Sequence, residues 1–388
     1  MKRHFPPAIC ILVVVFTCAW SISVSTLLGS TTAAASTISR TLPEPSMAIG
    51  GEIVSSSCVT GPVCVSLGWN HHGNTGYVWA ARWQGHTWSK LPAPRNGVPG
   101  GTGDTTISCA TSTWCMATGS TGLNIGNHPI ADELIGAHWK SLPVPTPKGS
   151  TDFSLYKLDC RSSTWCVGVG NYVANKPNYS DATFLASEVW NGSTWRIVPI
   201  FSPRTYAPQV DPGMVNGGAH PTAAPQQLSC VSNTFCVFTG FWTGVFVEEW
   251  NGHRWSEIHA PNEPKNVGSA SEFSGGSCTS TTFCIASGGY DISNGVWRPL
   301  IEKWNGHLWR IVALPKLPKI YERGTGFRLA QVDCVSSDFC VAFGDPGLVS
   351  TGLNGLEWNG QTWSYVSTGN RARLALVCLT KTDCNLID

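Results

Sequence analysis

The sequence is poor in charge, and its few charged residues are scattered. Of the 388 residues, 13% are charged, and the formal net charge is +1. Lys and Arg stand mostly alone, so the chain lacks the basic patch that a nucleic-acid-binding surface requires. No nucleic-acid partner is therefore expected.

Common catalytic and cofactor-binding motifs are also absent from the sequence. It contains no G-x-S-x-G elbow, HExxH pair, P-loop, dinucleotide fingerprint or EF-hand loop. We therefore predict no cofactor and no metal, and no motif assigns a catalytic residue. A hydrolase that spreads its residues over a repeat would carry no such motif, so catalysis is disfavoured rather than excluded.

Long hydrophobic runs are missing except at the N-terminus. Basic residues at positions 2–4 precede a nearly uncharged stretch at 6–28, and alanines at 33–35 supply an A-x-A cleavage site. Residues 1–35 are therefore predicted to be a signal peptide, which makes the protein secreted or extracellular. The alternative is an uncleaved anchor, because about 20 apolar residues can span a bilayer, and the protein would then stay on the cell surface.

Cysteine, in contrast, is abundant and evenly spaced. Two of the 16 cysteines lie in the predicted signal peptide, and the other fourteen form seven pairs with five residues between partners. Constant spacing in an exported chain indicates local disulfides, whereas zinc sites favour two to four residues between ligands. A five-residue turn between two strands would place the partners opposite each other, with Cα atoms about 4.5 Å apart. The predicted disulfides are Cys58–Cys64, Cys109–Cys115, Cys160–Cys166, Cys230–Cys236, Cys278–Cys284, Cys334–Cys340 and Cys378–Cys384.

A second hairpin recurs between the cysteine pairs. After each second cysteine an apolar run ends in Gly, as in VGVG at 167–170, and variable residues lead to a segment such as WNGSTW at 190–195. Asn-Gly is a strong hairpin signal because both residues tolerate positive φ. The Trp residues that flank this turn are Trp83/Trp88, Trp190/Trp195, Trp250/Trp255, Trp304/Trp309 and Trp358/Trp363, and a sixth copy keeps only Trp139.

Two hairpins per repeat predict an all-β β-propeller, because four-stranded units of about 40–50 residues that recur six or seven times build that fold. We favour seven blades, each with a local C-x5-C disulfide; six blades with one leftover hairpin is the alternative. The predicted domains are the signal peptide at 1–35, an N-terminal segment at 36–54 that could supply a ring-closing strand, and the propeller at 55–388. Its repeats start near residues 58, 109, 160, 230, 278, 334 and 378.

The pattern CxSxxxCxAxG followed by WNGxxW resembles that of secreted bacterial repeat proteins of the sialidase-like β-propeller type. It covers the chain from about Ser55 to Cys384, and the resemblance implies a propeller fold. The likeness to the sialidase Asp-box is partial, because NGSTW keeps Gly and Trp on a hairpin but lacks the Ser and Asp that define the box. The arginine triad and the Tyr/Glu nucleophile of that family match no positions here, so the resemblance assigns no catalytic residue.

Strand direction separates the predicted turns onto two faces. Strands that alternate in direction place the disulfide and Asn-Gly turns on one face and the longer, variable loops on the other. Variable loops on a rigid scaffold often carry function, and aromatic residues there can stack on sugars or hold a peptide. The alternative is that these aromatic residues wedge between blades as core. The candidate ligand-binding residues are Trp69, His71, His72, Tyr172, Trp242 and Tyr290.

Acidic residues divide into repeated and unrepeated ones. A catalytic carboxylate is needed once or in one specific pair, so acids that recur at one repeat position are interpreted as structural. Asp291 and Asp345 follow strand-ending glycines and are the weak catalytic candidates, since two acids about 5–10 Å apart can hydrolyse a glycosidic bond. The repeated acids, expected two residues before the first Trp or its substitute, are Glu133, Glu188, Glu248 and Glu302.

These features predict a secreted or cell-surface, non-catalytic binding or scaffold protein that acts as a monomer. Its ligand is expected to be a glycan or an extracellular protein held by the variable loops. Membrane association would come only through an uncleaved signal. The alternatives are a sialidase-like or other glycoside hydrolase or lyase on the same scaffold, and a structural envelope component without a defined ligand.

Overall fold

The protein is all-β in the residues that the structure describes, as the sequence predicts. The computed structural model describes residues 40–41, 52–59, 63–72, 75–85, 87–94, 103–121, 128–176, 179–200, 224–241, 244–261, 271–293, 296–318, 326–345, 355–366, 375–381 and 383–387. Every regular element in these ranges is a β-strand. The predicted signal peptide lies outside the described residues.

Six four-stranded sheets, numbered here as blades 1 to 6, follow one another along the chain. Blades 1 to 3 comprise β2 (Glu52–Val59), β3 (Val63–His72), β4 (Thr75–Gln84), β5 (Trp88–Leu91); β6 (Gly103–Thr111), β7 (Trp114–Thr121), β8 (His128–Ile135), β9 (His138–Leu142); and β10 (Ser150–Ser162), β11 (Trp165–Lys176), β12 (Tyr179–Trp190), β13 (Trp195–Val198). Blades 4 to 6 comprise β14 (Ala224–Ser232), β15 (Phe235–Phe241), β16 (Val245–Trp250), β17 (Trp255–Glu257); β18 (Ser271–Ser280), β19 (Phe283–Ser293), β20 (Val296–Trp304), β21 (Trp309–Ile311); and β22 (Arg328–Ser336), β23 (Phe339–Asp345), β24 (Gly355–Trp358), β25 (Trp363–Val366).

A seventh, three-stranded sheet contains β26 (Ala375–Thr380), β27 (Asp383–Ile387) and β1 (Arg40–Thr41). The two-residue strand β1 pairs with Asn385 and Leu386 of β27, and it runs parallel to β27. The alternatives of six and seven blades thus differ in whether this shorter sheet counts as a blade.

The first strands of all seven sheets form a closed ring, which is the arrangement of a β-propeller. Within each of blades 1 to 6 the strands pair in chain order and antiparallel. The first strands β2, β6, β10, β14, β18, β22 and β26 each contact the next one, and β26 contacts β2.

The core of the fold lies between neighbouring blades. Trp190 and Trp195 of blade 3 pack in one cluster with Trp114 and Met116 of blade 2. The same arrangement recurs between blades 3 and 4 and between blades 5 and 6, with a Trp pair in each cluster. Burying a large apolar side chain contributes roughly 1.5–3 kcal/mol, so the repeated Trp hairpin is explained by the packing that it supplies.

All seven predicted disulfides are present, with Cα atoms 3.9–4.0 Å apart. The turn between each pair of half-cystines is tighter than the predicted five residues. In blade 3 the strands continue past the disulfide to the pair Ser162 and Trp165, with a register shift after Cys160. The Thr164 amide donates to the Ser162 hydroxyl across the remaining turn, which is the local bonding that Ser/Thr turns favour.

The Asn-Gly loops join the third and fourth strands of blades 3 to 6. In blade 3 the Gly192 backbone has a φ of 92°, and the Asn191 Oδ1 atom accepts bonds from the amides of Ser193 and Thr194. Asn251, Asn305 and Asn359 accept the equivalent pairs of bonds in the next three blades. Gly therefore supplies the positive φ, and Asn supplies a side-chain cap.

Candidate functional site

One face of the propeller, called here the short-turn face, is built by the disulfide turns and the Asn-Gly loops. The indole N–H of Trp190 donates to the Ser163 carbonyl at 3.0 Å, which fastens one turn to the other within blade 3. Trp250, Trp304 and Trp358 make the same bond in blades 4 to 6. Repetition of the same contacts leaves this face uniform, so it offers little that could specify one ligand.

The opposite face, called here the variable face, carries three projecting hairpins on alternate blades. These are β3–β4, β11–β12 and β19–β20, in which strand pairing extends eight, ten and nine residues past the second half-cystine. In the described parts of blades 2, 4 and 6 the corresponding pairing ends after six, five and three residues. At about 3.3 Å per residue, the described strand pairing of the projecting hairpins continues roughly 7–20 Å farther than that of the neighbouring blades.

Three of the predicted aromatic site residues lie on the projecting hairpins. Trp69, Tyr172 and Tyr290 are all half-buried, and Trp69 and Tyr290 pack against the core clusters of their blades. The Tyr172 ring stacks on Phe184 with centroids 5.3 Å apart. The expected alternative, in which these rings wedge between blades, therefore accounts for part of each ring, and the remainder faces outward.

The predicted histidines and one of the two candidate acids also lie on projecting hairpins. His71 and His72 pair with Gly76 and Thr75 at the end of the first projecting hairpin. Asp291 is half-buried on the third projecting hairpin, opposite Trp297.

Asp345 ends β23 on the neighbouring blade, where it pairs with Arg328. Trp242 lies outside the described residues. The two candidate acids therefore sit on adjacent blades, and only Asp291 belongs to a projecting hairpin.

Sequence reasoning missed an exposed aromatic residue on the first projecting hairpin. Tyr77 is 43% exposed and lies opposite Asn70 on the neighbouring strand. It precedes the Trp hairpin instead of following a strand-ending Gly, so the pattern that singled out Trp69 did not reach it. Cross-strand pairing places Tyr77 one ladder position from the pair of His71 with Gly76.

An ion pair and a cation–π contact join blades 5 and 6 near the third projecting hairpin. The Arg328 Nη1 atom lies 2.6 Å from the Glu272 Oε1 atom, and the Arg328 guanidinium lies 5.4 Å from the Trp297 ring centroid. The Phe327 amide also donates to the Trp297 carbonyl. These contacts hold the third hairpin against the next blade, so its outward residues stand on a fixed support.

The repeated acids are buried between blades, with one correction to the predicted register. Glu188, Glu248 and Glu302 are fully buried and pair with Gly168, Phe238 and Ala286 at one ladder position. The equivalent residue in blade 2 is Asp132, because Leu134 occupies the place of the first Trp.

Glu133 was therefore assigned to the wrong position, and it accepts a bond from the Trp114 indole instead. Blade 2 lacks the first Trp. The residue that takes its place is Leu134, whereas the predicted register requires Ile135. The conclusion that these acids are structural agrees with their burial.

Two of these buried carboxyl groups have no hydrogen-bond partner. Neither oxygen of Glu188 or Glu302 is bonded. Burial raises the pKa of Glu188 to about 8 and that of Glu302 to about 9. At neutral pH both side chains are therefore mainly protonated, and they add no charge to the interfaces between blades.

The centre of the ring encloses a cavity of about 330 Å³, called here the channel, to which all seven first strands contribute. First strands are sheet edges, whose free amides need partners. The residue just before the first half-cystine supplies that partner to the next blade. Its side-chain oxygen accepts the half-cystine amide at 2.7–3.0 Å in six junctions, through Ser57, Ser108, Asp159, Ser229, Ser277 and Asp333.

These six residues, with Val377 in the seventh sheet, are called here the latch tier. Val377 has no side-chain acceptor and packs instead with Ile53, Trp79 and Ala81 of blade 1. The junction between the seventh sheet and blade 1 is therefore apolar at the position where the other junctions carry a hydrogen bond. A Ser or Asp directly before the first Cys of a pair is visible in the sequence. The amide that its side chain accepts belongs to the next blade, so spacing along the chain does not show its role.

The channel carries three acidic or basic side chains among its described lining residues. Asp159 and Asp333 stand in the latch tier, and Lys157 lies two residues before Asp159 on β10. Burial raises the pKa of Asp159 to about 6, although the Cys230 amide and Arg161 oppose this shift. Burial likewise raises the pKa of Asp333 and lowers that of Lys157. The channel is thus a polar interior with charges of both signs.

The described residues show neither a metal site nor a membrane span. They contain no group of three or more His, Cys, Asp or Glu side chains placed to hold a metal ion. Within the same ranges, no helix has the length and apolar character needed to cross a bilayer.

Comparison with known proteins finds similarity of structure only. No protein-family profile and no curated protein matches the sequence. Solved structures that resemble the chain include YCF48 from Cyanidioschyzon merolae, at 12% identity over 88% of this chain and 93% of that one, with a TM-score of 0.49. A second is YCF48 bound to a D1 peptide, at 13% identity over 87% and 90%, also with a TM-score of 0.49.

A third is the WD40 β-propeller domain of Doa1, at 12% identity over 87% of this chain and 89% of that chain, with a TM-score of 0.45. With TM-scores below 0.5, the propeller assignment for this chain rests on its own sheets and their order. The particular likeness to sialidase-like proteins stays a prediction.

Proposed function

We propose that the protein is an exported, non-catalytic β-propeller that binds a glycan on its variable face, with an extracellular protein segment as the alternative ligand. The observation that carries this proposal is the extended strand pairing of three hairpins on alternate blades. Blades 1, 3 and 5 raise hairpins that blades 2, 4 and 6 lack in the described residues. A repeat that is otherwise uniform thus departs from uniformity on one face.

The side chains on the projecting hairpins support a sugar-binding role. Trp69, Tyr77, Tyr172 and Tyr290 supply aromatic rings, and Asp291 supplies a carboxylate near one of them. Aromatic faces stack on the apolar faces of sugars, and a few polar groups then fix the orientation of the hydroxyls. The disulfides and Trp bonds of the short-turn face keep the hairpins in fixed positions, which lowers the entropy cost of binding.

A glycan array with the exported protein tests this proposal. Tyr77→Ala removes the most exposed aromatic ring of the first projecting hairpin and should weaken binding at least tenfold. Leu308→Ala is the matched control, because Leu308 is 39% exposed and lies in an Asn-Gly loop on the short-turn face. Trp69→Ala and Tyr290→Ala extend the test, with thermal unfolding as the check that each variant is folded.

Three outcomes decide between the candidate ligands. Glycan binding that Tyr77→Ala abolishes and Leu308→Ala leaves intact supports the proposal. Binding only to extracellular proteins, with the same sensitivity to Tyr77→Ala, supports the alternative ligand. Binding that Leu308→Ala weakens as strongly as Tyr77→Ala, or turnover of a glycan that depends on Asp291 or Asp345, contradicts the non-catalytic variable-face assignment.

A further inference from the structure

Among the described residues, Lys157 makes none of the cross-blade hydrogen bonds that join the first strands. It belongs to a second set of residues, called here the upper tier, that lie three positions before the first half-cystine. Ser55 and Gln331 of this tier accept the amides of Ile107 and Leu376 in the next blade, as the latch tier does. A lysine ammonium has only donors, so Lys157 cannot accept the corresponding amide.

The Lys157 ammonium also lacks a partner within the described residues. Ion pairs in that part of the chain include Lys140 with Glu133, Arg161 with Asp159, Arg328 with Glu272 and Lys381 with Asp338, and none of these involves Lys157. Lys157 lines the channel as a half-buried side chain, and burial there lowers its pKa. Partial burial of a charge without a partner costs free energy, which a ligand of opposite charge would offset.

Asp159 offers the complementary charge one step deeper in the channel. One oxygen of its carboxylate accepts the Cys230 amide at 2.8 Å, and the other lies 3.9 Å from the exposed Arg161. Serine fills the latch tier in four other junctions, so a hydroxyl is sufficient for the latch bond and the charge of Asp159 is additional. Lys157 and Asp159 are two residues apart on one strand, which separates the tiers by about 6.6 Å.

We propose that the channel binds a small zwitterion, an amino-carboxylate whose carboxylate pairs with Lys157 and whose ammonium pairs with Asp159. A simple anion would meet Asp159 and Asp333, and a simple cation would leave Lys157 without a partner. The cavity of about 330 Å³ has the size of a small-molecule site, and Thr106, Gln227 and Ser229 add polar groups to its wall. This site is separate from the projecting hairpins and does not depend on their function.

Isothermal titration calorimetry with three probes of equal length tests the proposal. The probes are 5-aminopentanoate, pentanoate and pentylamine, which carry both charges, only the negative charge and only the positive charge. The unmodified protein should bind 5-aminopentanoate at least tenfold more tightly than either single-charge probe. Equal affinity for all three probes, or no measurable binding of 5-aminopentanoate, would overturn the proposal.

Two variants assign the charges of the probe to residues of the channel. Lys157→Met should weaken the binding of 5-aminopentanoate at least tenfold, and it should leave the binding of pentylamine no weaker. Asp159→Asn keeps an oxygen that can accept the Cys230 amide but loses the charge. It should therefore weaken the binding of 5-aminopentanoate and leave the binding of pentanoate no weaker. Asp333→Asn is the matched control and should have a smaller effect than Asp159→Asn.

Folding and independence from the variable face are checked with the same proteins. Lys157→Met removes a half-buried charge that makes no bond to another blade in the described residues, so this variant should fold even if Asp159→Asn does not. Its glycan binding should equal that of the unmodified protein, which separates failure of the channel site from failure of the variable-face site. Retention of 5-aminopentanoate binding in Lys157→Met would contradict the assignment of its carboxylate.

Discussion

At the residue scale, buried polar groups of the repeat are of two kinds: those that bond a neighbouring blade and those that do not. A hydroxyl or carboxylate in the latch tier satisfies an amide of the next blade, so each of these residues has a structural purpose. Glu188 and Glu302 are different, because neither has a hydrogen-bond partner although both are fully buried. Their contribution to stability therefore depends on whether they are protonated.

Replacing Glu188 or Glu302 by Gln should raise the free energy of unfolding at neutral pH, by about 3 kcal/mol each. Both pKa values are raised by burial above the ordinary 4.5, to about 8 and about 9. Between pH 4.5 and those values the unfolded chain has released a proton that the native state keeps, so stability falls as pH rises through this window. Urea unfolding at pH 5, 6.5 and 8 should show the stabilisation growing with pH.

Glu257→Gln is the control for that measurement, because Glu257 is exposed on β17, opposite the buried Glu248. It removes a carboxylate that already lies in water and should leave the pH dependence unchanged. If Glu188→Gln and Glu302→Gln keep the pH dependence of the unmodified protein, the two acids do not carry a proton in the native state.

At the scale of the element, each blade combines a disulfide turn with an Asn-Gly loop that touches it. The Gly306 backbone has a φ of 93°, and a Cβ atom there would lie 2.9 Å from the Thr282 Cγ2 atom in the disulfide turn. Gly136 of blade 2 has a φ of 62° and no atom within 4 Å of such a Cβ. The two glycines thus separate backbone strain from steric contact.

Gly136→Ala should cost about 1 kcal/mol of stability, from the positive φ alone. Gly306→Ala should cost about 2–3 kcal/mol, because the new methyl group also collides with Thr282. Adding Thr282→Ser removes the colliding Cγ2 atom and should recover part of that loss. Chemical denaturation of the single and double variants measures the coupling, and equal costs for the two glycines would show that turn-to-loop contact is unimportant.

At the scale of the whole molecule, ring closure is the part of the fold that differs from the rest. The first strands β22 and β26 are joined by the Asp333 latch, whereas β26 and β2 meet at the apolar Val377. The seventh sheet has three strands, and β1 covers only two residues of β27. Among the described residues, fewer strand pairs and cross-blade hydrogen bonds hold this sheet than hold blades 1 to 6.

Native-state amide exchange should therefore show the lowest opening free energy in β26 and β27 and a higher one in β14 and β15. Asp333→Ala leaves the Cys378 amide without its acceptor and should lower the opening free energy of β26 by about 1–3 kcal/mol. Asp333→Asn keeps an acceptor and should have a smaller effect. Uniform exchange across all seven sheets would indicate that closure is as strong as any other junction.

Much of the fold followed from local sequence, because its signals act over short distances. Half-cystines six positions apart and Asn-Gly between tryptophans each specify a hairpin, and recurrence of the two hairpins specifies stacked blades. The register of blade 2 was the exception, since Leu134 replaces the first Trp and the sequence offered Ile135 as an equally good substitute. The turn lengths also differed, because the strands continue past each disulfide.

The candidate site was only partly accessible to the same reasoning. The sequence indicates Trp69, Tyr172 and Tyr290 because they follow the apolar run that ends in Gly, and three projecting hairpins bring them to one face. Tyr77 and the latch tier were not found, because their significance lies in a residue across a strand or in the next blade. A sequence states which residues are adjacent along the chain, but not which blade edges meet.

The sequence by itself determined the disulfides, the two hairpins of each repeat and the propeller that they build, since all of these depend on residues close together in the chain. Only the tertiary structure decided what the ring encloses and what rises from it. Lys157, Asp159 and Asp333 line one channel because curvature brings seven strand edges around one axis. In the described residues, the strands of blades 1, 3 and 5 stay paired farther from the disulfide than those of blades 2, 4 and 6, which spacing alone does not reveal.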